Sequence, residues 1–306
     1  AGLLAIVWRD EYVGLGENLF YSLFHSISAF NNAGFSLFSN SLASEGVSHQ
    51  FGVHAIIAIL IVLGGIGFGT ISDLLKQPWR RQSMAKSWRS LRVGTKLGLV
   101  VAGVLVTFGA VMVLMLEGYR GPIGPQLSHS IFQSITARTA GFNTINFSVM
   151  ATPTLLFFIF LMFIGGGSGS TAGGIKTSTF ALVFMSAAAT IQGKKNVNIY
   201  KTQIPWELMN KAFAILLFSA VSIIVGIFLL TLFEPEKALM DLIFEEVSAF
   251  CTVGLSTGIT PTVSLGGKII LMISMLIGRV GTLTLAFALS DRKMESNSFK
   301  YPKGSM

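Results

Sequence analysis

Three short stretches of this chain carry residue types that together could strip and bind a bare cation. They are "SAFNNAGFS" at residues 28–36, "TARTAGFNT" at 136–144 and "SAFCTVGLSTG" at 248–258. Each centres on one glycine, Gly34, Gly141 or Gly254, set among small and polar residues. Each is too short and too polar to span a bilayer, yet it sits in a hydrophobic protein. What these stretches offer is backbone. Glycine permits the dihedrals that turn successive carbonyls the same way. A ring of such carbonyls can replace the hydration shell of a cation.

Such stretches need elements to hold them. Aligned on the three glycines, the chain repeats at intervals of 107 and 113 residues. A short amphipathic segment precedes each glycine, at residues 19–30, 127–137 and 238–250. A long apolar run follows each, and another precedes each short segment, cut short in the first copy. The unit reads span, half-helix, glycine knot, span. Non-helical backbone survives at membrane depth only where protein buries it or where it lines a watery cavity. A half-helix that enters from outside and returns as extended chain is a re-entrant pore loop. The negative end of its dipole faces the ion. An ordinary glycine turn would explain one copy; three copies in the same context favour a pore.

Composition fits that frame. The chain is 52% hydrophobic and only 12% charged, with 33 glycines placed largely inside apolar runs, as packed membrane helices require. Runs at residues 51–75, 93–116, 154–189, 208–233 and 267–290 are each long enough to cross a bilayer, which takes about 20 residues. The expected fold is an all-α polytopic membrane protein. The many Phe and Met side chains read as lipid-facing and core packing. The single cysteine, Cys251, excludes an internal disulfide and gives no metal cluster. The opening "AGLLAIVW" reads as the tail of a helix already under way, with no signal peptide visible.

Charge sets the orientation. Residues 76–96 carry Lys76, Arg80, Arg81, Lys86, Arg89, Arg92 and Lys96 with no acid, and Trp79 and Trp88 suit the headgroup level. A later connection carries Lys194, Lys195, Lys201 and Lys211 against Glu207, and the C-terminus adds Arg292, Lys293, Lys300 and Lys303. These fall on one side, which the positive-inside rule makes cytoplasmic. The other side takes Asp10, Glu11, Glu17, Glu45, Glu117, Glu234, Glu236, Asp241, Glu245 and Glu246. The net charge of +8 is thus an orientation signal, and nucleic-acid binding is the poorer reading of it.

The run at 154–189 is too long for one plain span and is broken by "GGGSGSTAGGIKT" at 165–177. Each glycine costs a helix about 1 kcal/mol, so this segment is expected to be irregular in mid-membrane and to lie in the pore. Arg279 sits in the last apolar run, where a charge costs at least about 2.5 kcal/mol and demands a partner or water. Two readings stand for it: a cation holding the broken segment, or a structural arginine between helices. Lys176 carries the same two readings and can also snorkel to the cytoplasm. Arg138 either tunes the outer pore or braces its short helix. Asn31 and Asn32 could bond the knot's own backbone. Three enzyme-like motifs compete. A phosphate loop fails because Ile175 separates Gly174 from Lys176. "GGIGFG" at 64–69 misses the dinucleotide spacing and reads as helix packing. "GGSG" at 166–169 could hold the nucleophile Ser168 of an intramembrane serine protease, with His54 as base; this is the alternative function.

The motifs "NNAGFS", "ARTAGFNT" and "CTVGLSTG", with "GGGSGSTAGGIKT" and "IGRVGTLTLAFAL", resemble the Trk/Ktr/HKT potassium transporters, most closely the Ktr-type membrane subunit. The resemblance covers essentially the whole chain. It implies a pseudo-fourfold fold of M1-P-M2 repeats around one pore, each with a one-glycine filter segment. Three filter segments are present here, so the chain reads as repeats two to four of a longer protein. The expected boundaries are 1–75 for the second repeat without most of its first span, 76–190 for the third with its broken second span, 191–290 for the fourth, and 291–306 for a cytoplasmic tail. The implied function is potassium uptake across the plasma membrane, with the pore loops facing outside and no enzymatic chemistry. The implied filter ligands are carbonyls of Asn32, Ala33, Gly34, Thr139, Ala140, Gly141, Thr252, Val253 and Gly254. The implied gate comprises Gly165, Gly166, Gly167, Ser168, Gly169, Ser170, Thr171, Ala172, Gly173, Gly174 and Lys176, with Arg279. The resemblance further implies K+ as transported ion, Na+ as a coupling or activating ion, and no organic cofactor. The partners it implies are a second copy in a homodimer, membrane lipids and a cytosolic ring of nucleotide-binding regulatory subunits. The basic loops and the tail "SFKYPKGSM" are candidate docking surfaces for that ring.

Overall fold

The computed structural model describes residues 1–9, 14–77, 83–117, 123–194, 196–200 and 202–281. Helices dominate it. The first unit holds α1 (Gly2–Val7), α2 (Leu15–Phe30), α3 (Phe51–Ile66) and α4 (Phe68–Leu75). After α5 (Met84–Ser90), the second unit holds α6 (Val93–Glu117), α7 (Ile123–Thr136), α8 (Thr152–Phe163) and α9 (Thr177–Ile191). A two-stranded antiparallel hairpin of β1 (Asn198–Ile199) and β2 (Thr202–Gln203) leads to the third unit, α10 (Trp206–Phe233), α11 (Leu239–Phe250) and α12 (Leu265–Val280). In each unit a short amphipathic helix, α2, α7 or α11, ends at one of the three glycine stretches. Asp10, Glu11, Trp79, Arg80, Arg81, Lys195, Lys201 and the whole tail from 282 lie outside the described residues.

Length decides which helices can cross a membrane alone. At 1.5 Å per residue, α6 reaches about 37 Å and α10 about 42 Å, beyond the roughly 30 Å hydrocarbon core. Their mean hydropathies are 2.7 and 2.9, and only 22% of each apolar window is buried, so most of both helices faces outward. By length and composition these two cross, and α3 with α4 makes a third if the bent pair is one span. The run at 154–189 is split, as its glycines require: α8 and α9 cover about 18 and 22 Å and are separated by irregular chain. The run at 51–75 departs from the single span its apolarity suggests. It bends by 94° between α3 and α4 at Gly67, which has φ 94° and ψ 141°. The cause is tertiary. Phe68 N–H leaves the helical ladder and donates to the Gly169 carbonyl at 3.0 Å, and a Cβ on Gly67 would collide with the Ser168 carbonyl. The broken segment of the second unit is therefore plugged into the break of the first.

The short helices are held by neighbours on both sides. Within a unit α2 packs on α3, α7 on α6, and α11 on α10 and α12. Between units α3 packs on α7 and α8 on α11. One apolar cluster joins Phe158, Leu161 and Met162 of α8 to Phe244, Val247 and Phe250 of α11. Phe158 and Phe244 are fully buried, so truncating either to alanine is expected to cost about 3–5 kcal/mol. Backbones approach closely where glycine allows. A Cβ on Gly64 would collide with the carbonyl of Phe30, the last residue of α2, and one on Gly278 with that of Phe250, the last of α11. Two helices of equal rank thus seat on two short-helix ends in the same way. Three of the acids that the sequence places on the side opposite the basic connections, Glu234, Glu245 and Glu246, are buried. Glu246 is fully buried, accepts from the Ser274 hydroxyl at 2.6 Å, and occupies the space left by Gly226. Glu245 is buried beside the third glycine stretch.

The connection between α10 and α12 is closed by a carboxylate. Glu234 Oε1 accepts the Ser264 amide N–H at 2.7 Å, and the Ser264 hydroxyl caps α12 by accepting from Gly267 N–H at 3.2 Å. The Ser264 hydroxyl, with its amide and the Lys237 and Lys268 ammonium groups, holds the Glu234 carboxyl below the usual glutamate range, against the opposing effect of burial. A lowered folded pKa gives a contribution present above the unfolded value of about 4.3 and lost as pH falls through the folded one. Thermal unfolding in detergent between pH 3 and 7 should therefore show a loss below about pH 4.3 that is smaller in Glu234→Gln. Equal pH profiles for the two proteins would remove this role from Glu234.

Candidate ion-conduction site

The three glycine stretches share one backbone conformation. Asn32 and Gly34 have φ of 50° and 72°, Thr139 and Gly141 of 78° and 82°, Thr252 and Gly254 of 52° and 90°. Each stretch thus places a left-handed residue two before its glycine, and the glycine is left-handed too. Among the described residues only five non-glycine positions have positive φ, and three of them are these. Such residues cost about 1–3 kcal/mol each and persist where the surroundings over-determine them. Here the surroundings are hydrogen bonds to the short helix. Ala33 N–H donates to the Ser28 carbonyl at 2.9 Å, and Val253 N–H to the Ser248 carbonyl at 2.8 Å. Gly141 N–H reaches the Thr136 carbonyl at 3.4 Å. Hydroxyls then pin the residue after each glycine: Ser28 donates to the Phe35 carbonyl at 2.8 Å, Thr136 to Phe142 at 2.7 Å, and Ser248 to Leu255 at 2.6 Å.

The stretches are also neighbours in space. A Cβ built on Gly34 would meet the Ala140 carbonyl oxygen at 2.5 Å and the Gly141 Cα at 3.0 Å. One on Gly141 would collide with the Val253 carbonyl, and one on Gly254 would lie 3.7 Å from the Gly141 Cα. Three non-helical segments from three distant parts of the sequence therefore converge, with carbonyls of one beside the glycine of the next. The nine residues singled out from sequence, 32–34, 139–141 and 252–254, are brought together. Asn31 and Asn32 do not reach into this space. Asn31 bonds back to the Ile27 carbonyl at 2.9 Å, and the Asn32 amide nitrogen, turned toward carbonyls, donates to Ile61 and Ala29 at 3.2 Å.

Below the stretches lies the broken segment 164–176. It is tied to itself by Gly165 N–H to the Ile175 carbonyl at 2.9 Å and Ile175 N–H to Phe163 at 3.2 Å. It is tied to the end of α3 by Gly167 N–H to Gly65 at 2.8 Å and Thr171 N–H to Gly64 at 3.3 Å. Its centre touches the glycine stretches. The Thr171 hydroxyl donates to the Phe30 carbonyl at 3.2 Å, and a Cβ on Gly173 would collide with the Thr252 hydroxyl. Three cations hold it. Arg279 Nη1 donates to the Thr171 carbonyl at 2.7 Å, Lys176 Nζ to the Ala172 carbonyl at 2.5 Å, and Arg138 Nη2 to the Gly165 carbonyl at 3.2 Å. Between this segment, α10 and α12 lies a cavity of about 450 Å³, lined by Gly173, Lys176, Ser219, Phe250 and Arg279 among others.

Of the two readings for Arg138, the bonds favour the brace. Its second amino group bonds the Ala102 carbonyl of α6 at 3.3 Å, so it braces α7 and the broken segment from behind. The protease reading also fails. The Ser168 hydroxyl pairs with that of Ser178 at 2.8 Å, and Ser168 sits by Gly67 at the C-terminal end of α3. His54 lies thirteen residues up that helix, about 20 Å away at 1.5 Å per residue, in a ring cluster with His129 and Phe132. Next to α6, Asp73 accepts the Arg92 N–H at 2.9 Å, and Lys96 donates to the Arg89 carbonyl at 2.7 Å.

These features define a helical membrane protein in which irregular backbone from several units is gathered at one place. A family model described as TrkH, cation transport protein, matches residues 7–301, and the chain belongs to that family. The Ktr system potassium uptake protein B of Vibrio alginolyticus is 41% identical over 310 residues, covering 99% of this chain and 65% of that protein. The protein of the same name in Bacillus subtilis is 39% identical, covering 99% of this chain and 66% of its own length. The potassium/sodium uptake protein NtpJ of Enterococcus hirae is 33% identical over 315 residues, covering 99% of this chain and 67% of that protein. The chain thus spans about two thirds of the length of these relatives. Among solved structures, the potassium transporter TrkH of Vibrio parahaemolyticus superposes with a TM-score of 0.74 over 94% of this chain and 61% of that one. At 18% identity this establishes the fold.

The bracing arginine gives a direct test. Hydrogen bonds to a charged group are worth about 1.5–3 kcal/mol each, so Arg138→Met should lower the unfolding temperature in detergent measurably. Arg279, whose side chain is exposed to the cavity, should cost less when replaced by alanine. An Arg138→Met protein as stable as the parent would deny the brace.

Proposed function

We propose that this protein moves K+ across the cell membrane, from the outside inward, past a ring of backbone carbonyls. The observation that carries the reading is the convergence of three stretches with one shared left-handed backbone pattern. The resemblance to the Trk/Ktr/HKT family and the potassium uptake for which the relatives are named supply the ion. In this reading the carbonyls of residues 32–34, 139–141 and 252–254 are ligands on three sides of a pseudo-fourfold pore. The short helices α2, α7 and α11 are its pore helices, entering from the outer face, with their negative dipole ends toward the ion. An inward-negative potential then contributes about 2.3 kcal/mol per charge per 100 mV. The potassium/sodium name of one relative supports Na+ as a coupling or activating ion. A second copy of the chain and a cytosolic nucleotide-binding ring complete the assembly, with the basic connections as its docking face. Potassium uptake by a transport-deficient host expressing the intact transporter tests the whole reading; no uptake by correctly inserted protein would overturn it.

The filter assignment has its own test. Gly34→Ser and Gly141→Ser add a Cβ at positive φ and against a neighbouring carbonyl, whereas Gly254→Ser meets only the Gly141 Cα at 3.7 Å. All three should weaken K+ affinity and its preference over Na+, with Gly141→Ser the most damaging of them. Unchanged affinity and selectivity in all three would sink the carbonyl ring.

The segment 165–177 is assigned as the gate, held across the pathway by Arg279 and Lys176. Glycines give it the freedom to move, and the cation–carbonyl bonds give it a closed position. Shortening it should raise K+ flux in reconstituted vesicles and reduce dependence on the cytosolic ring; Arg279→Ala should act in the same direction by less, because Lys176 and the α3 contacts remain. Flux and regulation unchanged by the deletion would reduce the segment to a packing break.

A further inference from the structure

A second fastening recurs behind the three glycine stretches, nearer their outer ends. In the first unit the His25 ring bonds the Tyr21 carbonyl through Nδ1 at 2.8 Å and the Ser36 hydroxyl through Nε2 at 3.1 Å. A carbonyl only accepts, so Nδ1 carries the proton and Nε2 accepts from Ser36. In the second unit Gln133 donates to the Thr144 hydroxyl at 3.1 Å. In the third the Glu245 carboxylate accepts from the Ser256 hydroxyl, and from Thr260 at 2.9 Å. The positions match. His25 and Glu245 stand nine residues before Gly34 and Gly254, and Ser36 and Ser256 two after them. Gln133 stands eight before Gly141, offset by the same single residue that separates Thr136 from Ser28 and Ser248. Even the turn is shared: Phe38 N–H donates to Ser36 Oγ at 3.1 Å, and Gly258 N–H to Ser256 Oγ at 2.9 Å.

We propose that His25, Gln133 and Glu245 are positioning residues for ion selectivity, each fixing the outer end of its carbonyl segment through the hydroxyl that follows the glycine. The inference rests on the filter reading above. All three side chains are buried, where a polar group is unfavourable unless it is bonded. An apolar side chain could fill the same space against the helix behind. The bond to the hydroxyl is what the polar choice adds: the imidazole of His25 and the carboxylate of Glu245 accept from it, and the amide of Gln133 donates to it. With a carbonyl pinned just after the glycine and a hydroxyl pinned just beyond, the segment is held from two sides. Carbonyls held so keep the number and spacing that distinguish K+ from Na+.

Glutamine is the rescue residue, because its side-chain carbonyl oxygen can still accept from the Ser256 hydroxyl where leucine cannot. Glu245→Leu and Glu245→Gln are compared in the intact transporter, reading K+/Na+ preference from competitive uptake. Glu245→Leu should lower the preference about tenfold, equal to about 1.4 kcal/mol of differential binding, while Glu245→Gln should stay within about twofold of the parent. Parent-like preference in Glu245→Leu overturns the proposal, and so does a Gln variant as impaired as the Leu variant. If Glu245→Leu fails to insert, Ser256→Ala breaks the same contact from the other side, and parent-like preference there overturns it equally. The filter reading fails separately: preference unchanged in Gly254→Ser rejects the carbonyl ring, whereas a changed Gly254→Ser beside an unchanged Glu245→Leu rejects only the positioning role.

Discussion

A backbone carbonyl or amide inside a membrane must find a partner or cost several kcal/mol, and this one constraint orders the structure. Three left-handed stretches and a broken span all give up helical hydrogen bonds at depth. Each recovers what it can from a fixed source. The stretches bond to their own short helices and to hydroxyls upon them. The broken segment borrows the carbonyls and amides at the end of α3, which had to be opened at Gly67 to provide them. Cations then satisfy the acceptors left over: Thr171, Ala172 and Gly165 each present a carbonyl to a positive side chain. The carbonyls at the convergence of Gly34, Gly141 and Gly254 lie beside one another's glycines instead of in a helical ladder.

The positive side chains divide this work unequally. Arg138 is buried behind α7 and joins three elements, so it belongs to the frame. Arg279 and Lys176 border the large inner cavity and bond only carbonyls of the broken segment. They face open space on one side and the segment on the other.

Much of this was legible in the sequence because it rests on local chemistry. Glycines at a fixed offset from short amphipathic helices located all three stretches, and the glycine density of 165–177 located the broken span. The arginine in the apolar run at 267–290 found the partner that its cost demanded. Other features were hidden because they depend on what lies alongside. The bend at Gly67 follows from the insertion of a segment a hundred residues away, and apolarity alone made residues 51–75 look continuous. Glu245 and Glu246 resemble surface acids in a list of charges; only the hydroxyls of Ser256, Thr260 and Ser274 show that they are internal. Arg138 carried two readings in the sequence, and only its bonds to the Ala102 and Gly165 carbonyls decide for the brace. The clamp formed by His25, Gln133 and Glu245 escaped sequence reading because three unlike residues occupy equivalent places.

The way α3 leans on α7, and α8 on α11, has a consequence for how the chain acquires its structure. Each unit provides a wall for the short helix of the unit that follows, so no unit is complete within its own boundaries. A ribosome delivers these walls in order, at about 5–20 residues per second. The short helix α7 emerges to find α3 already in place, and α11 to find α8. Assembly can therefore run in the direction of synthesis, each step templated by the one before. The broken segment arrives late to the break in α3, which must remain open until the second unit has been made.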